Sequence, residues 1–331
     1  MMRKRHSFNF PIAVCQDGKV GLISRSGKVV VPFRFDAFDG YSDRFQEGLM
    51  MVRIDGKPSY IDRRGRVVIR TDFDFARDFS GRLAAIMFGK RYGYIDKKGR
   101  IVIKPTYWLA CDFREGLAVV AHSRNRWGYI DKNGREVIPC RYRHAEEFSE
   151  GLALVRTKEG VGFIDKCGKE VIAPQCRWAW SFSEGLACVQ IGRRRGFVDR
   201  NGKLFIPPVF DRAMRFSEGL AAVVVEGRWN NKLEIYSGGK YGYIDRNGSF
   251  VIRPKFSCAR EFNEGLAAVN VQFCRHSISC GRWGYIDKRG RFAIRPQFAL
   301  AGGFKDGLAH VAKNQRAMYI RKNGRCVWQS K

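Results

Sequence analysis

Histidine, acidic residues and long apolar runs are what this chain has little of. Its five histidines, His6, His122, His144, His276 and His310, are scattered through 331 residues. None falls in an HExxH pattern, and no GxSxG, Walker or dinucleotide fingerprint occurs, so no enzyme is expected and no catalytic residue is assigned. No stretch approaches the roughly 20 apolar residues of a membrane helix. The basic start Met1-Met2-Arg3-Lys4-Arg5-His6 leads into Ser7-Phe8-Asn9-Phe10-Pro11 and not into a sustained apolar run, so no signal peptide is read. The ten cysteines form no CxxC pair and no framework spacing. Several stand where small apolar residues also serve, such as Cys188 where sister segments carry Ala or Val. That usage suits free thiols in a reducing compartment, and a cytoplasmic location is expected.

The shortage of acid is the largest imbalance. Lys and Arg number 61 against 32 Asp and Glu, a formal net charge of +29. Such a field attracts polyanions and repels basic partners. Arg outnumbers Lys by about two to one, and Arg offers paired donors to phosphate and stacks on planar rings.

What the chain does have is repetition. Tyr94-Ile95-Asp96-Lys97-Lys98-Gly99 returns as Tyr129-Ile130-Asp131-Lys132-Asn133-Gly134, and again at Phe163, Phe197, Tyr243 and Tyr285. Most copies lie about 34–35 residues apart, the spacing of repeat architectures. In the copy that starts at Glu115, Gly116 to Val120 reads as strand A, Arg126 to Asp131 as strand B and Arg135 to Pro139 as strand C. Asp131-Lys132-Asn133-Gly134 is a hairpin turn between B and C. Period two puts Trp127 and Tyr129 on one face of strand B. Gly128, on the other, predicts a close approach of neighbouring backbone or ring. The Ala after each Leu of strand A (Ala118, Ala153, Ala187, Ala221, Ala267, Ala309) marks a tight packing layer. The prolines at Pro105, Pro139, Pro174, Pro207, Pro254 and Pro296 lack a ladder donor and are expected to end strand C. About ten residues then return, extended or as a short helix. One such unit buries too little to stand alone, so neighbouring copies must cover one another.

Trp127-Gly128-Tyr129-Ile130-Asp131, Trp283-Gly284-Tyr285-Ile286-Asp287 and the recurring Phe-Ser-Glu-Gly-Leu-Ala (Phe182 to Ala187, Phe216 to Ala221) resemble the WG repeat, also called the KWG repeat. The resemblance runs from about Gly18 to Gly324, with a diverged first copy and a truncated last one. It implies a β-rich, mainly bacterial scaffold and carries over no catalytic residue.

The expected fold is all-β: a tandem repeat of β-meander units stacked as an elongated or superhelical array, with a closed β-propeller-like ring as the alternative. Residues 1–17 read as a lead-in. Residues 18–331 read as one repeat domain of about eight to nine units, with insertions near 226–238 and 272–281.

Three zones are basic. The B–C turns carry Lys97, Arg200 and Lys288 among others and read as a solvated stripe. The return segments carry Arg141, Arg177, Arg212 and Arg260, some of them candidates to pair with the Glu of Ser-Glu-Gly. The A–B loops hold Lys90, Arg91, Arg124, Arg126, Arg193, Arg194, Arg195, Arg228, Lys232, Arg275 and Arg282. Both insertions fall in A–B loops and bring Trp229, Tyr236 and Phe273 among the cations, the composition of a single-strand nucleic-acid surface. These eleven residues are the candidate anion-binding rim. Asp131-Lys132-Asn133-Gly134 lacks the further oxygen ligands of a calcium loop. Cys274, His276 and Cys280 read as incidental thiols and imidazole in a flexible insertion, so no metal and no cofactor is expected. The expected role is a non-catalytic scaffold for an acidic or polyanionic partner, alternatively a module for single-stranded DNA or RNA. No membrane and no small-molecule substrate is expected.

Overall fold

The computed structural model describes residues 11–37, 44–231, 235–272 and 282–330, and for 235–237 the backbone alone. Among these residues the regular structure is entirely β, with no helix. The chain divides into two compact units, Met1–Glu147 and Phe148–Lys331.

In the first unit, Leu109–Arg114, Leu117–Ser123, Arg126–Ile130 and Glu136–Tyr142 form one antiparallel sheet in sequence order. The sheet before it runs Phe75–Ala76, Leu83–Phe88, Arg91–Asp96, Ile101–Tyr107. The first two repeats share a six-stranded sheet through a single pairing, Asp36 with Arg53. The second unit repeats the pattern, for example in Trp178–Ala179, Leu186–Ile191, Arg194–Asp199 and Leu204–Phe210. The return segment, for which the sequence allows extended chain or a short helix, is a strand of two to six residues among the described residues. A repeat is thus a four-stranded twisted sheet, which is the form of a propeller blade.

The turn chemistry follows the sequence. Gly134 donates its amide to the Asp131 carbonyl at 3.0 Å. Asp131 Oδ1 accepts from the amides of Asn133 and Arg135, both at 2.9 Å. The same carboxylate cradle recurs at Asp62, Asp96, Asp165, Asp199, Asp245 and Asp287. The Arg135 amide is the main cause that holds the Asp131 carboxyl below its usual value of 3.8. At Asp62, Asp96 and Asp287 desolvation pulls upward and is outweighed by turn amides and a following Arg.

Strand C departs from expectation. It does not end at proline but runs Glu136–Tyr142, with Trp127 opposite Tyr142 and Tyr129 opposite Ile138. Pro139 sits inside the irregularity between those pairs, where no ladder donor is needed. Gly128 makes the crossing possible. A Cβ there would lie 2.5 Å from the Ile138 carbonyl oxygen and 2.7 Å from the Cys140 nitrogen. The equivalent glycines Gly93, Gly162, Gly196, Gly242 and Gly284 face the same obstruction.

The core lies between sheets. Ala118, Ala153, Ala187, Ala221, Ala267 and Ala309 are fully buried, as are Tyr129, Phe163, Phe197, Tyr243 and Tyr285. Within each unit strand-B rings meet the Phe that opens a neighbouring repeat: Tyr94 with Phe113 and Phe197 with Phe216 at 4.9 Å, Tyr285 with Phe304 at 4.8 Å. Where that ring is Tyr, its hydroxyl reaches the following repeat's return segment: Tyr94 donates to the Cys111 carbonyl at 2.7 Å and Tyr243 to Arg260 at 2.8 Å. Such a buried hydroxyl needs its partner.

A second layer of contacts joins the Ser-Glu-Gly turns. Ser183 Oγ donates to Phe216 O at 2.7 Å and Ser217 to Phe262 O at 2.6 Å. Glu150 accepts the amide of Gly185, Glu184 that of Gly219, Glu218 that of Gly265 and Glu264 that of Gly307, each at 2.9 Å. These carboxylates also take the turn cations expected to be a solvated stripe. Lys97 meets Glu47 at 3.0 Å, Arg200 meets Glu150 at 3.1 Å, and Lys288 meets Glu218 at 3.3 Å. At these turns the register brings the B–C cation under the preceding repeat's Glu, a pairing expected for some of the return-segment arginines.

Two outcomes test this account. Gly128→Ala forces backbone apart and lowers stability by at least ~2 kcal/mol, read from chemical denaturation; a loss under ~0.5 kcal/mol contradicts the close crossing. The depressed Asp carboxyls contribute stability that is present above pH 3.8 and lost as pH falls through their lower folded values. The melting temperature therefore drops between pH 5 and pH 2, and a constant or rising one contradicts the cradle.

Candidate anion-binding rim and a cleft in the second unit

The A–B hairpins set the rim. In the first unit Gly89 and Lys90 turn the chain at positive φ between Leu83–Phe88 and Arg91–Asp96. Lys90 and Arg91 are exposed there. Arg124 and Arg126 flank the next hairpin and are exposed too, while the Arg124 carbonyl accepts from Trp127 Nε1 at 2.7 Å. Trp127 packs 4.7 Å from the His144 ring, so the hairpin is braced from below.

In the second unit the Arg193-Arg194-Arg195 run separates into three roles, because alternate residues of a strand face opposite sides. Arg193, exposed at the turn, stacks its guanidinium 5.1 Å over the Trp229 ring. Arg194 donates to the Val209 carbonyl and lies 3.7 Å from the Asp211 carboxylate. Asp211 is buried, and its other oxygen accepts the Gly227 amide at 2.7 Å. Arg195 is half-buried, 4.0 Å over Trp178, with a hydrogen bond of 3.4 Å to the Ala213 carbonyl. Burial pulls its pKa below the usual guanidinium value, and it stays a cation held by the ring and the carbonyl. Arg195 therefore reaches the next sheet through Ala213, while Arg193 and Arg194 are both exposed, Arg194 tied to Val209 and Asp211 and Arg193 to the Trp229 ring.

The insertion near 226–238 is an extension of the A–B hairpin, Ala221–Asn230 against Ile235–Ile244, with Arg228 opposite Ser237 and Trp229 opposite Tyr236. Arg228 is exposed on it, as is Arg282, just before the strand Trp283–Ile286 that follows the second insertion. Lys232 and Arg275, with Phe273, Cys274, His276 and Cys280, lie outside the described residues.

Trp229 and Arg193 also line a cleft of about 730 Å³ within the second unit. Ile172, Val198 and Leu204 give it apolar walls, and Gln175, Arg177, Gln190 and Asn231 its polar ones. The sequence had placed Arg177 among the return-segment cations and not beside Arg193. The one signal that could have found the cleft was a Trp inside the insertion. Two guanidinium groups beside an indole suit a ligand that carries both a planar ring and negative charge.

A four-stranded blade and a rim of hairpin loops define the class of protein, a β-propeller of tandem repeats. The WG containing repeat model matches residues 21–57, 59–92, 92–122, 127–160, 162–193, 196–229, 241–272 and 283–316, and the chain belongs to that family. No curated protein matches it. Among solved structures, the chain is similar in fold to one described as a eukaryotic initiation factor. The TM-score is 0.66 at 10% identity, over 97% of this chain and 96% of the other. The dihydro-heme d1 dehydrogenase NirN matches at 0.48 and 15% identity over 89% and 75%. BamB from Moraxella catarrhalis matches at 0.42 and 11% over 96% and 90%. The likeness over the length of the initiation-factor structure corrects the expected elongated or superhelical stack. The fold is a closed propeller, and the strands of the described residues are grouped in eight sheets. The physical reason is that twisted four-stranded blades packed face to face turn about an axis, and closure covers the faces that a stack would leave bare.

The split of the arginine run gives a test. Arg194→Ala leaves a buried carboxylate short of its cation and costs about 1–3 kcal/mol, whereas Arg193→Ala stays within ~0.5 kcal/mol. Equal losses in urea denaturation would show that the two side chains do not differ in this way.

Proposed function

We propose that this protein is a non-catalytic propeller scaffold whose A–B rim docks an acidic or polyanionic partner. The observation that carries the reading is how the carboxylates are used. Asp of the B–C turn is held by its own amides, and in the second unit Glu150, Glu184, Glu218 and Glu264 by the next repeat's amide, three of them by a turn cation as well. Acid so committed does little to offset the rim. Lys90, Arg91, Arg124, Arg126, Arg193, Arg228 and Arg282 are all exposed under a formal charge of +29. A field of that sign steers polyanions toward the surface from beyond contact distance.

A second reading, single-stranded nucleic acid, is favoured by the Arg193–Trp229 stack at the mouth of the cleft. A base can stack on an indole while guanidinium groups take the flanking phosphate. The two readings share the rim and differ in what survives nuclease.

The scaffold reading predicts that a labelled polyanion such as heparin or oligo-dT binds the full chain, with affinity falling steeply between 50 and 200 mM salt. A loss of at least ~10-fold is expected for a rim that neutralises several phosphates. The combined variant Arg91→Ser, Arg124→Ser, Arg193→Ser weakens binding at every salt concentration and keeps the melting temperature. No binding at 50 mM, or binding unaffected by the variant, removes the rim as the docking surface. A pull-down with and without nuclease then separates the readings: capture of an acidic protein that persists after nuclease supports the first, and loss of the captured material supports the second.

A further inference from the structure

Internal repeats supply a comparison within one chain. In the five sister repeats that share the Ile-x-Pro pattern in strand C, one position is always proline: Pro105, Pro174, Pro208, Pro254 or Pro296. In the repeat of the first unit that includes Leu117–Ser123 and Glu136–Tyr142, that position is Cys140. Two further positions of this repeat carry donor side chains. His122 stands where four sisters have Phe88, Ile191, Val225 and Val271, and Glu136 where four have Ile101, Leu204, Phe250 and Phe292. The fifth sister has Thr157 and Glu170 but keeps Pro174. Only this repeat combines an imidazole, a carboxylate and a thiol at the three places.

The fold brings the three together. His122 Nε2 lies 2.7 Å from Glu136 Oε1. One ring nitrogen of His122, one carboxylate oxygen of Glu136 and the Cys140 Sγ all lie within 4.8 Å of one another. Strand C crosses close over Gly128, and Cys140 Sγ comes within 3.9 Å of the Val120 carbonyl on strand A. The Tyr107 ring stands 5.4 Å from the imidazole and walls one side. Cys140 is buried while His122 and Glu136 reach the surface, so the arrangement is a shallow site open to solvent on one side.

We propose that His122 Nε2, Glu136 Oε1 and Cys140 Sγ bind one divalent ion of the zinc class. The nitrogen, oxygen and sulfur set is the one such a borderline-soft ion takes, and three protein ligands leave a fourth position open. The ion takes the place of the hydrogen bond between imidazole and carboxylate. The thiol releases its proton to solvent as the metal–sulfur bond forms. Burial pushes the metal-free Cys140 thiol up to about 12, so without an ion the sulfur is neutral and unreactive. Sequence spacing hides the set, since its members are 14 and 4 residues apart on strands that are not neighbours. The proposal stands independently of the rim and departs from the expectation that no metal is bound.

The test is a Co²⁺ titration of the full chain under reducing, non-chelating conditions. The expected result is one equivalent bound, with an intense near-ultraviolet thiolate-to-cobalt band that Zn²⁺ removes. Cys140→Pro and His122→Val install residues that sister repeats already carry, so the fold has precedent for each. Both are expected to lose the band and to weaken binding by at least ~10-fold, with unchanged circular dichroism. If one variant fails to fold, the other decides. Absence of the band in the native chain, or a band of undiminished strength in a folded variant, overturns the proposal.

Discussion

The carboxylate of the Glu-Gly turn that opens strand A is the interaction on which the repeat depends. Glu150, Glu184, Glu218 and Glu264 all adopt positive φ, between 53° and 56°, a conformation that an L-residue enters at a cost and that Gly takes freely. Glu is nevertheless used, because only a side chain of that reach accepts the next repeat's Gly amide and, at three of these four, that repeat's turn cation as well. Local strain is offset by a charged hydrogen bond between repeats. The same step sets Ser against the next Phe carbonyl and the Phe ring against the preceding strand-B aromatic. One geometry thus serves backbone, charge and core together.

This use of acid is what gives the surface its sign. Carboxylates that hold turns and repeats are partly shielded by their own partners, while Lys90, Arg91, Arg124, Arg193 and Arg228 at the hairpins are exposed. The basic field is then a by-product of how the repeat is joined as much as of composition. Function placed on the hairpin tips costs the fold little, since the tips vary in length and sequence from Gly89-Lys90 to the long extension at Ala221–Asn230. Strand registers and the buried alanine layer do not vary in that way.

Much of the repeat is legible in the sequence. Strands, turn type, the role of Asp131 and the burial of Tyr129 and its equivalents follow from period and turn chemistry, which act over a few residues. Three things were not. Proline was read as the end of strand C because its missing donor was weighed without the irregularity that makes the donor unnecessary. Closure was held only as an alternative, since one blade's pattern is the same in a stack and in a ring. The Arg193-Arg194-Arg195 run looked uniform as text, yet Trp178, Asp211 and Trp229, each supplied by a different stretch of chain, give its members separate tasks. The donor set at His122, Glu136 and Cys140 was unreadable for the same reason, because proximity across a bulged strand has no spacing rule.

The direct measurement is amide hydrogen exchange at Gly265 in the native chain and in Glu218→Gln, which keeps the reach of the side chain and removes its charge. If the charged contact joins the repeats, exchange at Gly265 speeds up by at least ~10-fold, the loss of about 1.4 kcal/mol of local protection, and the neighbouring strand Leu266–Asn270 loosens with it. Unchanged exchange at Gly265 would show that the charged contact does not hold the repeats together and would contradict the account.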